Sequence, residues 1–266
     1  MANTVYAAEV IRAKAKDLLI TKVNTRNLMT VDTDLEQEAG MKKVVNLYTY
    51  SGTAEALTKG QGNTSSGSIS YVPKEYVVKT IQQKFDYFDE DVANEPNTPE
   101  MMLKGATEVM TNKMAADFTA AITSEDITNK ITLTGDLSYD SIVDAISMVN
   151  TEDESELFIV IPNIWKAALR KDPDYISARM GEVIYNGMVG IIAGIPVIAS
   201  KALDDAKMAA VMSKEAVTLF LKKDIEVETA RDIDTRDNTV VLRTAYLVAL
   251  TNADKICKIG ADDESE

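Results

Sequence analysis

Two carboxylates either side of a proline are the first residues in this chain that could do chemistry. Asp172 and Asp174 flank Pro173, with Glu182 downstream, and paired carboxylates can share general-acid and general-base work. On a proline turn such residues more often face solvent. Asp89, Glu90 and Asp91 form a second acidic run that could draw a metal ion. It lacks the central glycine and closing glutamate of an EF-hand loop, which favours a solvated turn. The glycine-rich stretch GQGNTSSG, residues 60–67, could cradle a phosphate. It matches neither G-x-x-x-x-G-K-S/T nor G-x-G-x-x-G followed by an apolar helix, so a loop tip or partner-contact loop is the better reading. Histidine is absent. That removes the commonest general base and metal ligand, and with them the Ser-His and Cys-His nucleophile pairs. The chain therefore reads as a non-enzyme with no cofactor and no metal. A soluble enzyme using Asp172, Asp174 and Glu182 is the rival from another class.

Charge excludes further classes. The 266 residues carry 28 Lys+Arg against 42 Asp+Glu, a formal net charge of −14. Non-specific grip on nucleic-acid phosphates needs a basic surface, and so does adsorption to an anionic membrane. No apolar run reaches the roughly 18 residues of a membrane-spanning helix. The start, MANTVYAAEVIRAKAK, lacks the pattern of a signal peptide. Cys257 is the single cysteine, so no intrachain disulfide can form and a reducing compartment is expected.

The elements that must position these residues are organised around TPEMMLKGATEVMTNKMAADFTAAIT, 98–123. Leu103, Ala106, Met110, Met114, Phe118, Ala121 and Ile122 recur at steps of three and four, which predicts one long amphipathic helix. Thr98 suits its N-cap and Pro99 its first position. Upstream, Val5, Ala8, Ile11, Ala15, Leu18 and Leu19 predict a helical arm. VVNLYTY (44–50) alternates, and 69–88 is rich in Tyr, Val, Ile and Phe. Two extended flanks around a glycine-rich tip predict a long hairpin, which cannot be stable alone and must lie against another surface. Downstream, Ile131–Leu133 is a short strand and Ser138 caps a helix with Ile142, Val143, Ile146 and Val149 on one face. LFIVIP (157–162) reads as a central strand covered on both faces. Asn163 opens a short helix, 171–182 reads as irregular surface, and GIPVIAS (194–200) as a strand. Strands are expected at 207–212, 217–221 and 255–259. Ile225 to Ile233 and Thr239 to Leu250 alternate around Asp234–Asn238, a long hairpin with a charged tip.

That order of parts resembles the major capsid protein of tailed bacteriophages, the HK97-type fold, over about residues 1–258. The loop around Leu57–Ser70 resembles that family's extended loop, and Thr98–Thr123 its spine helix. LFIVIPNIWKAALRK (157–171) and GIPVIAS resemble elements of its axial domain, and 224–250 the long strands and tip of its peripheral domain. The resemblance implies an α+β fold. Its parts would be an N-terminal arm at 1–43, an extended loop at 44–82, a peripheral domain at 83–135 and 222–250, an axial domain at 136–221 and 251–260, and a disordered tail at 261–266. The spine helix should pack against the late hairpin near Val240–Tyr246.

The resemblance also implies a function. The chain would associate with itself into hexamers and pentamers of an icosahedral shell around double-stranded DNA, contacted weakly. Its place would be the virion, assembled in the bacterial host cytoplasm with no membrane. The arm begins near Met1, so a scaffolding protein would be separate or already removed, and a portal is expected. Subunit-interface candidates are Leu57, Lys59, Gly60, Gly62 and Gly67 in the loop. At the tip they are Arg231, Asp232, Asp234, Arg236, Asp237 and Asn238. Arg231 and Arg236 would pair with Asp232, Asp234 or Asp237 of neighbours. Some family members join Lys to Asn covalently between subunits, for which Lys59 and Asn238 are candidates. An encapsulin-type compartment, similar in fold, is the nearest alternative.

Overall fold

Pro99 sits in the first turn of the longest helix, where its fixed φ suits the geometry and its missing N–H is no loss. A short helix, α1 (Asp89–Asn94), leads into this one, α2 (Thr98–Ile122). Its 25 residues span about 37 Å. Thr98 is not the N-cap as expected. Asn97 holds that place, and the Thr98 hydroxyl is engaged instead by the Glu95 carbonyl at 2.8 Å. The computed structural model describes residues 11–15, 25–36, 40–133, 135–149, 151, 153–178 and 190–261. Val5, Ala8, Leu18 and Leu19 of the expected arm, Glu182, the stretch 183–189 and the tail at 262–266 lie outside them.

The buried face of α2 lies on a four-stranded sheet ordered β1 (Thr30–Asp32), β10 (Val217–Arg231), β11 (Asp237–Leu250) and β4 (Lys79–Phe88). Leu103, Ala106 and Met110 pack with Tyr87, Ile225, Val240 and Leu242, and Ile11 and Ala15 of the arm join them. Met114, Phe118 and Ile122 continue the seam with Tyr246 and Leu250. The expected contact of helix with late hairpin is therefore present. Thr107 and Thr111 are buried in the same face, and each hydroxyl is satisfied by the carbonyl four residues back.

A second sheet of six strands runs β5 (Lys130–Leu133), β12 (Ile256–Ala261), β9 (Met208–Ser213), β6 (Leu157–Pro162), β8 (Ile195–Ser200) and β7 (Gly190–Ile192). β6 is buried at every position, between parallel β8 and antiparallel β9. Leu157, Ile159 and Ile161 face α3 (Tyr139–Met148), whereas Phe158 and Val160 face the seam under α2. Both faces are covered, which explains the unbroken apolar run.

Several expectations are corrected. Val143 is exposed and Ala145 takes its place on the buried face of α3. Residues 171–182 are not irregular throughout: after α4 (Lys166–Lys171), Pro173 opens α5 (Pro173–Ala178), which buries Tyr175 completely. The extended stretch 69–88 breaks at buried Val78 into two strands in different sheets. The long loop therefore ends at Val77, and residues 79–82 are sheet. The strands expected at 217–221 and from Ile225 are one, β10, because two register shifts between Leu221 and Glu226 let it continue past the core.

Candidate assembly surfaces

The glycine-tipped hairpin is built from β2 (Lys42–Ser51) and β3 (Ser68–Val77), paired from Lys42 opposite Val77 to Ser51 opposite Ser68. Beyond Ser51 side chains, not ladder bonds, hold the two arms together. The Ser51 and Ser68 hydroxyls lie 2.8 Å apart and those of Thr53 and Ser65 3.0 Å apart. The Glu55 carboxylate accepts from the Thr64 N–H at 3.0 Å and from its hydroxyl at 2.8 Å. These bonds, the backbone one foremost, hold the Glu55 carboxyl below the usual carboxylate range. Leu57, Lys59, Gly60 and Gly62 are exposed at the tip, and Gly60 adopts φ +94°. A Cβ at Gly67 would meet the outer end of the Tyr50 side chain, which is exposed and would have to swing aside.

The two faces of this ribbon differ. Residues alternate across a strand, so Lys43, Val45, Lys74 and Tyr76 share one face. Val45 and Tyr76 pack on the core cluster of Leu35, Val78, Phe220, Ala245, Leu247 and Ala249. Lys43 Nζ lies 4.9 Å over the Phe220 ring. Val44, Tyr50, Ile69, Tyr71 and Val77 share the other face and are exposed, Tyr50 at 63% and Tyr71 at 61%. Five large apolar side chains along one face form a surface of the kind that marks a protein contact.

The charged tip is more fully paired inside the chain than its sequence suggests. Arg231 Nη2 donates to Asp89 Oδ2 at 2.6 Å, and the Asn238 amide donates to Asp89 Oδ1 at 2.8 Å. Arg236, at φ +57°, reaches Glu90 Oε1 at 2.8 Å. Asp89 is therefore held well below the usual carboxylate range, first by Asn238 and then by Arg231. Asp232 accepts the N–H groups of Asp234 and Thr235 and so builds the turn. Asp234 is exposed and Asp237 half-buried. Ile233 is the apolar apex, 83% exposed. The acidic run at 89–91 is thus a partner of the tip, which sequence reasoning missed. The adjacent opposite charges were visible, but their meeting depends on the register of β4 with β11, which sets Phe88 opposite Asp237.

The carboxylate pair has a different use. Asp172 Oδ2 accepts from the Tyr139 N–H at 2.7 Å and Oδ1 from the Asp174 N–H at 2.9 Å. Both oxygens serve helix starts, those of α3 and α5. Among the described residues no group of three or more Cys, Asp or Glu is placed to hold a metal ion. No described helix is long and apolar enough to cross a membrane.

Comparison with known proteins places this architecture. No family model matches the chain. It is 24% identical over 259 residues to the major capsid protein of Staphylococcus phage phiMR11, covering 94% of this chain and 92% of that one. The capsid structure of cyanophage P-SCSP1u superposes with a TM-score of 0.66 at 15% identity, over 89% of this chain and 87% of that one. The virus-like particle from Pyrococcus furiosus gives a TM-score of 0.66 at 12% identity, over 96% and 100%. The long helix on a four-stranded sheet, the six-stranded layer and the protruding ribbon are thus the parts of a known fold: the chain has the HK97-type fold of phage major capsid proteins.

Proposed function

We propose that this chain is the structural subunit of an icosahedral phage capsid that encloses double-stranded DNA. Similarity to a phage major capsid protein at 24% identity, running along 94% of this chain, carries the reading. The protruding ribbon supports it, since an apolar face of that length is hard to keep in water and is at home against a second copy. In this reading the four-stranded sheet with α2 forms the peripheral part and the six-stranded sheet the axial part, meeting in hexamers and pentamers. The exposed loop residues Leu57, Lys59, Gly60, Gly62 and Gly67 contact a neighbour. So does the tip from Arg231 to Asn238, with Ile233 and Asp234 foremost, because Arg231 and Arg236 already have partners in their own chain. The net charge of −14 suits a wall that does not grip DNA. Scaffolding protein and portal are separate partners, and assembly occurs in the host cytoplasm.

An encapsulin-type shell is the second reading, since the fold alone does not separate it from a phage capsid: a virus-like particle and a cyanophage capsid both superpose with a TM-score of 0.66. Negative-stain micrographs of the purified protein test both. Uniform hollow shells are expected from this chain, and particles isolated with their other proteins should carry one distinct vertex or a tail. Small tailless shells filled with protein would favour the second reading, and a compact monomer at high concentration would overturn both.

A further inference from the structure

Among the described residues, the extended ribbon joins the body at its root. From Tyr50 to Pro73 every residue except Ser65 is exposed. At the root, Val78 is buried and its N–H donates to the Met41 carbonyl at 2.8 Å, so the chain is fixed at that point. One residue on, Lys79 Nζ donates at 2.7 Å to Asp117 Oδ1, whose other oxygen accepts from Tyr246. Four residues before Val78, Lys74 is ion-paired with Asp126 in the turn after α2. That turn is itself a junction. The Ser124 hydroxyl donates to the same Asp126 oxygen at 2.7 Å, and the Ser124 carbonyl accepts from the buried Lys258 of β12 at 3.1 Å. Ribbon, long helix and six-stranded sheet therefore meet through three consecutive residues.

The two ion pairs are unequal. Lys79 is 56% exposed, but its partner Asp117 is buried, with two donors on its carboxylate, and belongs to the core seam. Lys74 and Asp126 are 36% and 32% exposed, so water and salt screen them. We propose that Val78 with Lys79–Asp117 is a fixed pivot, and that Lys74–Asp126 is a releasable latch setting the angle at which the ribbon leaves the body. Opening the latch leaves the core seam intact, since none of the α2 packing residues takes part. The consequence for assembly rests on the shell reading: one chain could then seat its ribbon at different angles in five- and six-membered rings. The latch itself concerns the isolated subunit.

The test uses unassembled full-length subunits with spin labels on cysteines at Gly62 and Lys113, both exposed, while Cys257 is buried. Pulsed electron resonance should give one narrow distance distribution for the parent. Lys74→Met and Asp126→Asn should each broaden it or add a second distance, with the unfolding midpoint kept, and the swap Lys74→Asp with Asp126→Lys should narrow it again. A single broad distribution in the parent, an unchanged one in both single variants, or no recovery in the swap would overturn the latch. Failure of the parent to form shells even with its scaffolding protein present would instead overturn the shell reading and leave this measurement standing.

Discussion

The Tyr246 hydroxyl donates to Asp117 Oδ2 at 2.7 Å, inside the seam between α2 and the four-stranded sheet. A carboxylate on the buried face of an amphipathic helix would be costly alone. Here Tyr246 from β11 and Lys79 from β4 satisfy one oxygen each, so the polar group fixes helix against sheet at a single register. Tyr246→Phe should lower stability by about 1–3 kcal/mol, because Asp117 loses one of its two donors. Urea unfolding checks this, and an unchanged midpoint would show that the bond contributes nothing.

The same burial shapes the alkaline limit. Burial first, and Asp117 second, push the Tyr246 phenol far above its ordinary pKa of 10.0. Burial pushes the Cys257 thiol up to about 11 from 9.0. Each group stays protonated in the fold where the unfolded chain ionises, so the folded state binds more protons. Its contribution is fully present below the unfolded pKa and declines as pH rises past it. Unfolding free energy should therefore fall from about pH 9 upward, and Cys257→Ala should delay the onset toward pH 10. Unfolding curves between pH 7 and 11 test it; a flat profile would contradict the burial argument.

Acid acts at the tip with the opposite sign. Asp89 is depressed by Asn238 and Arg231, so its contribution is present above the unfolded carboxylate pKa and disappears as pH falls through the lower folded value. Asp89→Asn should make thermal stability less sensitive to acid. Hydrogen exchange should quicken at Arg231–Asn238 and stay unchanged in β6. Equal exchange at the tip in both proteins would show that the pairing is idle.

Core and ribbon should respond differently to substitution. Phe118→Ala should cost about 3–5 kcal/mol, as expected for a fully enclosed ring, and Phe118→Asp or Met110→Asp should abolish soluble subunit. Tyr71→Asp and Gly62→Asp touch exposed positions with open space at Gly62, so the unfolding midpoint should be kept. Particle yield by sedimentation should fall in both. Normal yield from Tyr71→Asp would remove the outward face from the assembly contact.

Much of this architecture was legible because its signals are local. A 3.6-residue stripe behind Pro99 announced α2, an unbroken apolar run announced β6, and Asp234–Asn238 announced a turn between alternating strands, although the first strand stops at Arg231 and Ile233 lies in the turn. What escaped depends on partners distant in sequence. Asp117 is polar within an apolar stripe until Lys79 and Tyr246 arrive. Asp172 looks like a surface acid until the Tyr139 N–H is known to point at it. The unity of β10 escaped because the register shifts near Lys223 reset the alternation that marks a strand. The outward ribbon face was hidden for another reason: its composition is ordinary, and only the packing of Val45 and Tyr76 tells which side is left bare.

The ribbon's place in the chain has a kinetic consequence. β2 and β3 are neighbours in sequence and can pair locally, but a lone two-stranded hairpin is marginal in water until its root is covered. The residues that cover their root, Phe220, Ala245 and Leu247, come near the end, and β1 waits for β10 to set Thr30 beside Thr218. A local hairpin forms in about 1–10 μs, whereas synthesis proceeds at about 5–20 residues per second. Each growing chain therefore carries this apolar ribbon, at most transiently paired, for seconds before it has a body to cover its root. On a crowded polysome these ribbons meet one another first, so the yield of usable subunit depends on how quickly residues 217–250 emerge.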